Sequence, residues 1–206
     1  YKGDYIKDYF INQKHFAHDF TIHTKTGYTK LHRRSDNKKI DDFKITFVDT
    51  GEETPPGERI LCIKDYIPEE DEDFMVTYGD GVADINIKNL VKFHKKQKSI
   101  GTVTSVHPRS KYGLLTTGRN NMVKEFVEKP VLHEWVNGGF MVFKREAFKY
   151  FRKGEMEHEG LKRLIAKQEL SLYTHESFWH SMDTYPDVDS LNKFWREDPK
   201  WKVWKD

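Results

Sequence analysis

The spacing of apolar positions changes along this chain, and each change marks an element. Tyr5, Ile6, Tyr9, Phe10 and Ile11 recur at helical spacing behind Asp4, a residue suited to cap a helix start. Residues 19–23 and 44–48 alternate or cluster apolar side chains as strands do, and the basic stretch 33–39 between them reads as a solvated loop. Residues 49–57 are dense in Gly, Pro, Asp and Thr, which predicts turns, and a short helix carrying Ile60, Leu61 and Ile63 should follow.

The run 74–78 ends in Gly79-Asp80-Gly81, the profile of a buried strand that delivers a carboxylate at its C-terminal end. A helix capped by Asp84 is predicted next, with Ile87, Leu90, Val91 and Phe93 on one stripe, and then a strand at 101–106. Strand, helix and strand in that order form a βαβ unit and favour a parallel sheet. Residues 112–116 and 122–127, joined by Thr117-Gly118-Arg119-Asn120, read as a β-hairpin inserted into it, and 140–143 as a further strand. Helices are expected over 146–151, 160–167 and 187–196. The fold class is therefore α/β with a mostly parallel sheet and C-terminal helices. Without repeats or a Gly/Ser linker, residues 1–206 are expected to form a single domain.

Composition narrows the function classes. Thirty-five Lys and Arg against 33 Asp and Glu leave a formal charge of +2, so net charge makes no case for nucleic acid or an anionic membrane as partner. No apolar stretch approaches the roughly 18 residues of a membrane span. Cys62 is the only cysteine, which excludes an internal disulfide and fits a reducing, cytoplasmic setting. A partner has to be argued from a site.

Three constellations could carry chemistry. Gly79 and Gly81 on either side of Asp80 would let a phosphate and a hydrated cation approach the end of a strand, and a carboxylate there suits Mg²⁺; an ordinary Asp-Gly turn is an equal reading. Asp183, at the end of Phe178-Trp179-His180-Ser181-Met182, could be the second carboxylate on that cation, although the cap of the following helix is the simpler reading. In Glu128-Lys129-Pro130, Lys129 could neutralise a phosphate and Glu128 accept from sugar hydroxyls, with Asn137 and Gly138 offering an amide and bare backbone nearby; an exposed ion pair and a plain turn explain them as well. The ten histidines show no ligand spacing for zinc, and neither Ser181 nor Cys62 has the setting of a nucleophile.

Taken in order, Val48-Asp49-Thr50-Gly51 with Arg59, the segment Thr77 through Asp84, Val127-Glu128-Lys129-Pro130, Asn137-Gly138-Gly139-Phe140 and Phe178 through Thr184 resemble the sugar-phosphate nucleotidyltransferases, over nearly the whole chain. The resemblance is greatest to the members that use CTP and glucose 1-phosphate. It implies a Rossmann-like domain that transfers the cytidylyl group from CTP to α-D-glucose 1-phosphate, giving CDP-glucose and pyrophosphate with Mg²⁺ as cofactor. It further implies that Asp80 and Asp183 hold the metal, that Thr54, Arg59 and Gly79 lie along the nucleotide, and that Glu128, Lys129, Asn137 and Gly138 address the sugar phosphate. A cytoplasmic homo-oligomer, hexameric in the family, serving polysaccharide biosynthesis is implied too. In-line phosphoryl transfer needs positioned charge more than a protein nucleophile, which suits the lack of one here.

Two departures shape the expectation. The family opens with a first strand and a loop of the form G-G-x-G-T-R-L, neither of which is in this sequence, so the chain is expected to be the C-terminal part of such an enzyme, impaired on its own. Where the family carries Thr-Gly-Gly-Arg, this chain has Pro56-Gly57-Glu58-Arg59. That leaves uridylyl or thymidylyl transfer, or a non-catalytic sugar-nucleotide-binding subunit, as alternatives.

Overall fold

A computed structural model describes residues 2–32 and 42–204, which divide into two compact units, one ending at Thr54 and the other beginning at Pro55. The sequence reading expected one domain over 1–206; the strands of the first unit pair only with each other.

In the first unit, helices α1 (Gly3–Ile11) and α2 (Gln13–Ala17) precede a two-stranded antiparallel hairpin, β1 (Asp19–His23) and β2 (Tyr28–His32). Asp4 does not cap α1, which starts one residue before it; the carboxylate lies in the first turn, 3.6 Å from Lys7. β1 pairs with β2, a strand the sequence reading did not name, because a tight turn, Gly27 at φ 73°, closes a local hairpin at little entropic cost. Residues 44–48 form no strand. Phe47 instead packs on Phe10 of α1, with ring centroids 5.9 Å apart. The predicted loop 33–39 lies outside the described residues.

The second unit holds α3 (Pro56–Cys62), β3 (Asp73–Thr77), β4 (Gly81–Ala83), α4 (Ile87–Gln97), β5 (Gly101–Val106), β6 (Leu114–Thr117), β7 (Val123–Val127), β8 (Val136–Lys144), α5 (Glu157–Ala166), β9 (Leu170–His175), β10 (Trp179–Ser181) and α6 (Tyr185–Glu197). Its main sheet has the order β3-β8-β5-β9. β3 and β5 are both antiparallel to β8, and β9 is parallel to β5, so three strands point one way and β8 runs between them in the opposite sense. The predicted βαβ unit is present, but its two strands do not touch. The sheet is mixed where a mostly parallel one was expected: only β5 and β9 pair in parallel, because the chain returns through β8 into the gap that the α4 crossover leaves.

Hydrophobic burial explains the layers. β5 is buried at every position, as a central strand covered on both faces should be. On one side Phe74 stacks on Phe148 at 4.6 Å and Phe143, fully buried, meets Phe151 edge-on. Ile85, Leu90 and Val142 form a second cluster beneath α4. That helix is capped by Asn86, whose side chain accepts from the Asn89 N–H, and not by Asp84. The hairpin β6–β7 pairs only with itself, and both strands are exposed throughout.

Candidate active site

Strand direction gathers the chemistry at one rim. β3, β5 and β9 end there and β8 begins there, so Asp80 follows β3, Lys111 follows β5, Asn137 opens β8, and Asp183 lies beyond β9 and β10. This is the edge at which open α/β sheets bind ligands.

A short ribbon joins the two predicted carboxylates. β4 and β10 pair antiparallel with Gly81 opposite Ser181, and the ladder continues one step further through the Met182 N–H, which donates to the Asp80 carbonyl at 2.8 Å. Asp80 therefore faces Met182, with Asp183 next along. Asp80 is exposed, and beside it Gly79 has open space on the face where a Cβ would stand. Asp183 accepts from the Lys111 ammonium at 2.9 Å and from the Ser181 hydroxyl at 3.0 Å. The Lys111 hydrogen bond, with Ser181 behind it, holds the Asp183 carboxyl below its ordinary range. Asp183 does not cap α6: Thr184 does, in a capping box with Asp187, whose carboxylate also accepts from the Asp183 N–H at 3.1 Å.

The ribbon is fixed at its far end by Asp84. Ser177 donates to its carboxylate at 2.6 Å, and His175 Nε2 lies 2.9 Å from the other oxygen, near enough for an ion pair without hydrogen-bond alignment. Asp84 is thus a strand fastener, where the sequence reading made it a helix cap.

A second group lies where β8 starts. Asn137 is exposed; its Nδ2 donates to the Tyr78 hydroxyl at 3.2 Å, and its Oδ1 accepts from the Gly139 N–H at 2.9 Å. The Tyr78 hydroxyl donates in turn to Glu157 at 3.0 Å. Burial, reinforced by Glu157, raises the Tyr78 phenol well above its ordinary range, so it remains a donor at neutral pH. The Gly138 carbonyl accepts from the Trp179 indole at 2.9 Å, which ties this group to the ribbon.

Lys129 and Glu128 stand exposed in the turn after β7. Pro130 accepts from the Ser110 N–H at 2.8 Å and Leu132 donates to the Pro108 carbonyl at 2.9 Å, so the backbone of Lys129 is held one residue from the segment that carries Lys111. Its φ of 45° is costly for a non-glycine residue, the more so before proline. Arg59 lies half-buried on α3. Thr54 ends the first unit, where its hydroxyl donates to the Thr50 carbonyl. Glu58 turns its carboxylate onto the Gly154 N–H at 2.8 Å, so one of its oxygens is engaged within the protein.

The rim thus brings together Asp80, Asp183, Asn137 and Gly138, with Lys129 one residue from its Lys111 segment. Sequence reasoning missed Lys111, Glu157 and the role of Tyr78. Tyr78 directly precedes the Gly79-Asp80 pair and could have been suspected; nothing near Glu157 signalled it. Two carboxylates on adjoining strand ends, one of them held ionised, are hard oxygen donors that fit Mg²⁺, an ion that takes few protein ligands. Among the described residues no group of three or more His, Cys, Asp or Glu side chains could enclose a metal, and no helix is long and apolar enough to cross a membrane.

A mixed α/β sheet with ligand-facing residues at one rim is shared by many enzymes, and the nucleotidyl transferase family model matches residues 10–203: the chain belongs to that family. It is 38% identical over 208 residues to a probable glucose-1-phosphate cytidylyltransferase of Bacillus subtilis (strain 168), covering 99% of this chain and 79% of that protein. To the glucose-1-phosphate cytidylyltransferase of Salmonella typhimurium it is 34% identical over 209 residues, covering 100% and 79%. Among solved structures, one provisionally named as a glucose-1-phosphate thymidylyltransferase from Bacillus anthracis superposes with a TM-score of 0.51 at 15% identity, over 71% of this chain and 63% of that one. That likeness speaks for the fold alone.

Proposed function

We propose that this chain carries the site of a glucose-1-phosphate cytidylyltransferase, in which the phosphate of glucose 1-phosphate attacks the α-phosphorus of CTP and pyrophosphate leaves. The observation that carries the reading is the Asp80–Met182 backbone bond, which draws Asp80 and Asp183 to adjoining strand ends beside Asn137. Asp80 and Asp183 would hold Mg²⁺, which when bound supplies charge neutralisation at the phosphates. Lys129 would neutralise the sugar phosphate as a point charge, and Asn137 with the Gly138 backbone would read the sugar hydroxyls. No side chain needs to act as nucleophile, because the sugar phosphate is one; the protein aligns two anions that would otherwise repel.

Similarity to two cytidylyltransferases over essentially the whole chain supports cytosine as the base. The hydrogen bond of Glu58 to Gly154 supports it too, because it gives the Glu58 departure a role within the fold. The test is isothermal titration with Mg-CTP, Mg-UTP and Mg-dTTP of the chain joined behind the family's opening strand and G-G-x-G-T-R-L loop, paired with an assay of pyrophosphate release in the presence of glucose 1-phosphate. Selective binding of Mg-CTP with release of pyrophosphate is expected. Preference for another nucleotide would overturn the base assignment, and no binding of any nucleotide would overturn the reading as a whole.

A further inference from the structure

We propose that Tyr78 and Glu157 are positioning residues for Asn137: together they set which way round its amide faces the sugar-phosphate side of the rim. The inference rests on the reading of Asn137 as a sugar-phosphate contact and extends it to two residues with no place in that reading.

The argument is one of hydrogen-bond polarity. The Glu157 carboxylate can only accept, so the single hydroxyl proton of Tyr78 points at it, over 3.0 Å. The phenolic oxygen is then left as an acceptor, and the group that approaches it at 3.2 Å has to be the NH₂ end of Asn137. At the other end of the same amide, the Gly139 N–H can only donate, and at 2.9 Å it requires the Asn137 oxygen. Both ends demand one orientation. Reversing the amide would set two donors face to face at Gly139 and leave the phenol oxygen without its donor.

The backbone holds the parts in register. The Tyr78 N–H donates to the Gly139 carbonyl at 3.2 Å, and Gly139, at φ 78°, leaves room for the Tyr78 ring, which a Cβ there would approach to 2.6 Å. Glu157 is the first residue of α5, so helix placement and amide orientation are linked. The second carboxylate oxygen of Glu157 is buried with no hydrogen-bond partner, so the Tyr78 hydroxyl is its polar contact in this network. Exposed Asn137 then has one N–H and one lone pair to offer. One donor and one acceptor on a neutral, rigid group match a pair of neighbouring sugar hydroxyls, each of which can both donate and accept.

The experiment compares Tyr78→Phe, Glu157→Met, Asn137→Ala and the Tyr78→Phe/Asn137→Ala double variant, with binding of glucose 1-phosphate and of Mg-CTP measured separately by titration calorimetry. Tyr78→Phe should weaken glucose 1-phosphate by about tenfold and leave Mg-CTP within about twofold. Asn137→Ala should cost at least as much, and the double variant no more than Asn137→Ala alone, because Tyr78 acts through that amide. Glu157→Met, which keeps the length of the side chain and removes the oxygen acceptor, frees the Tyr78 proton and should reproduce the loss and speed exchange of the Asn137 side-chain NH₂ in ¹H–¹⁵N spectra. It carries the same expectation should Tyr78→Phe fail to fold. Multiplying losses in the double variant, or equal weakening of both ligands, would overturn the positioning role while leaving the sugar-phosphate reading in place. Unchanged glucose 1-phosphate binding by Asn137→Ala would overturn both.

Discussion

Lys111 and Asp183, 2.9 Å apart, form an ion pair across the rim between the segment after β5 and the end of the β10 ribbon. Both side chains are exposed, so solvent screens the pair and its share of stability is small. Its effect is on titration: the ammonium favours the ionised form of a carboxylate that a divalent cation would also need ionised.

Lys111→Met should therefore raise the Asp183 carboxyl toward the ordinary range near 3.9, read by ¹³C NMR in Mg²⁺-free buffer, with little change in Tm. The folded value is the lowered one. The pair's contribution is accordingly present above the ordinary carboxyl range and is lost as pH falls through the folded value. An Asp183 titration that does not move would mean that Ser181 alone sets it.

In the chain joined behind the family's glycine-rich loop, Lys129→Ala should raise KM for glucose 1-phosphate by about tenfold and leave KM for CTP nearly unchanged, because a charge is lost on one substrate only. Equal changes for both would assign Lys129 to the strained turn it occupies, at φ 45°, and not to a phosphate.

Much of this second unit is legible in its sequence, and the exceptions have physical causes. β5 is found to the residue because its Thr and Val positions are β-branched and it follows the predicted α4 in strand–helix–strand order. β8 is found only in its second half: Asn137-Gly138-Gly139 reads as a turn, yet these residues are strand. Its glycines are there because a Cβ on Gly138 would come within 2.8 Å of Val106 and one on Gly139 within 2.6 Å of Tyr78. β9 goes unseen because Ser171, Thr174 and His175 break any apolar run, although the strand pairs along its whole length with β5. Of the candidate site, the two carboxylates could be named from turn chemistry and a family resemblance. The partners that orient them could not, since Lys111 and Glu157 reach their positions only through tertiary pairing.

Gly57→Ala should destabilise the chain by about 2 kcal/mol in urea unfolding. The added Cβ would lie 2.6 Å from the Glu155 carbonyl oxygen and 2.8 Å from the Met156 carbonyl, backbone atoms that cannot swing aside. An unchanged midpoint would show that the loop before α5 yields freely.

Tyr78 should ionise later than the other tyrosines in an alkaline absorbance titration, because burial and then Glu157 both oppose the phenolate. Its folded value is the raised one, so its contribution is intact below the ordinary phenol value of about 10 and is lost as pH climbs from there toward the folded value. Tyr78→Phe should flatten that alkaline loss of stability; an unaltered slope would point to another group.

The antiparallel course of β8 also governs the order in which the chain can assemble as it leaves the ribosome. β3, α4 and β5 emerge first, but in the finished sheet β3 and β5 stand two strand spacings apart, about 9.6 Å, with nothing yet to fill the space. A nascent chain released as far as residue 135 would carry β3 and β5 with bare edges and no main sheet. Only when residues 136–144 emerge does a single segment pair with both, converting two exposed edges into the interior at once. The interval before that closure is when the growing polypeptide is most open to wrong partners, and the strand that ends it is the one that carries Asn137 to the rim.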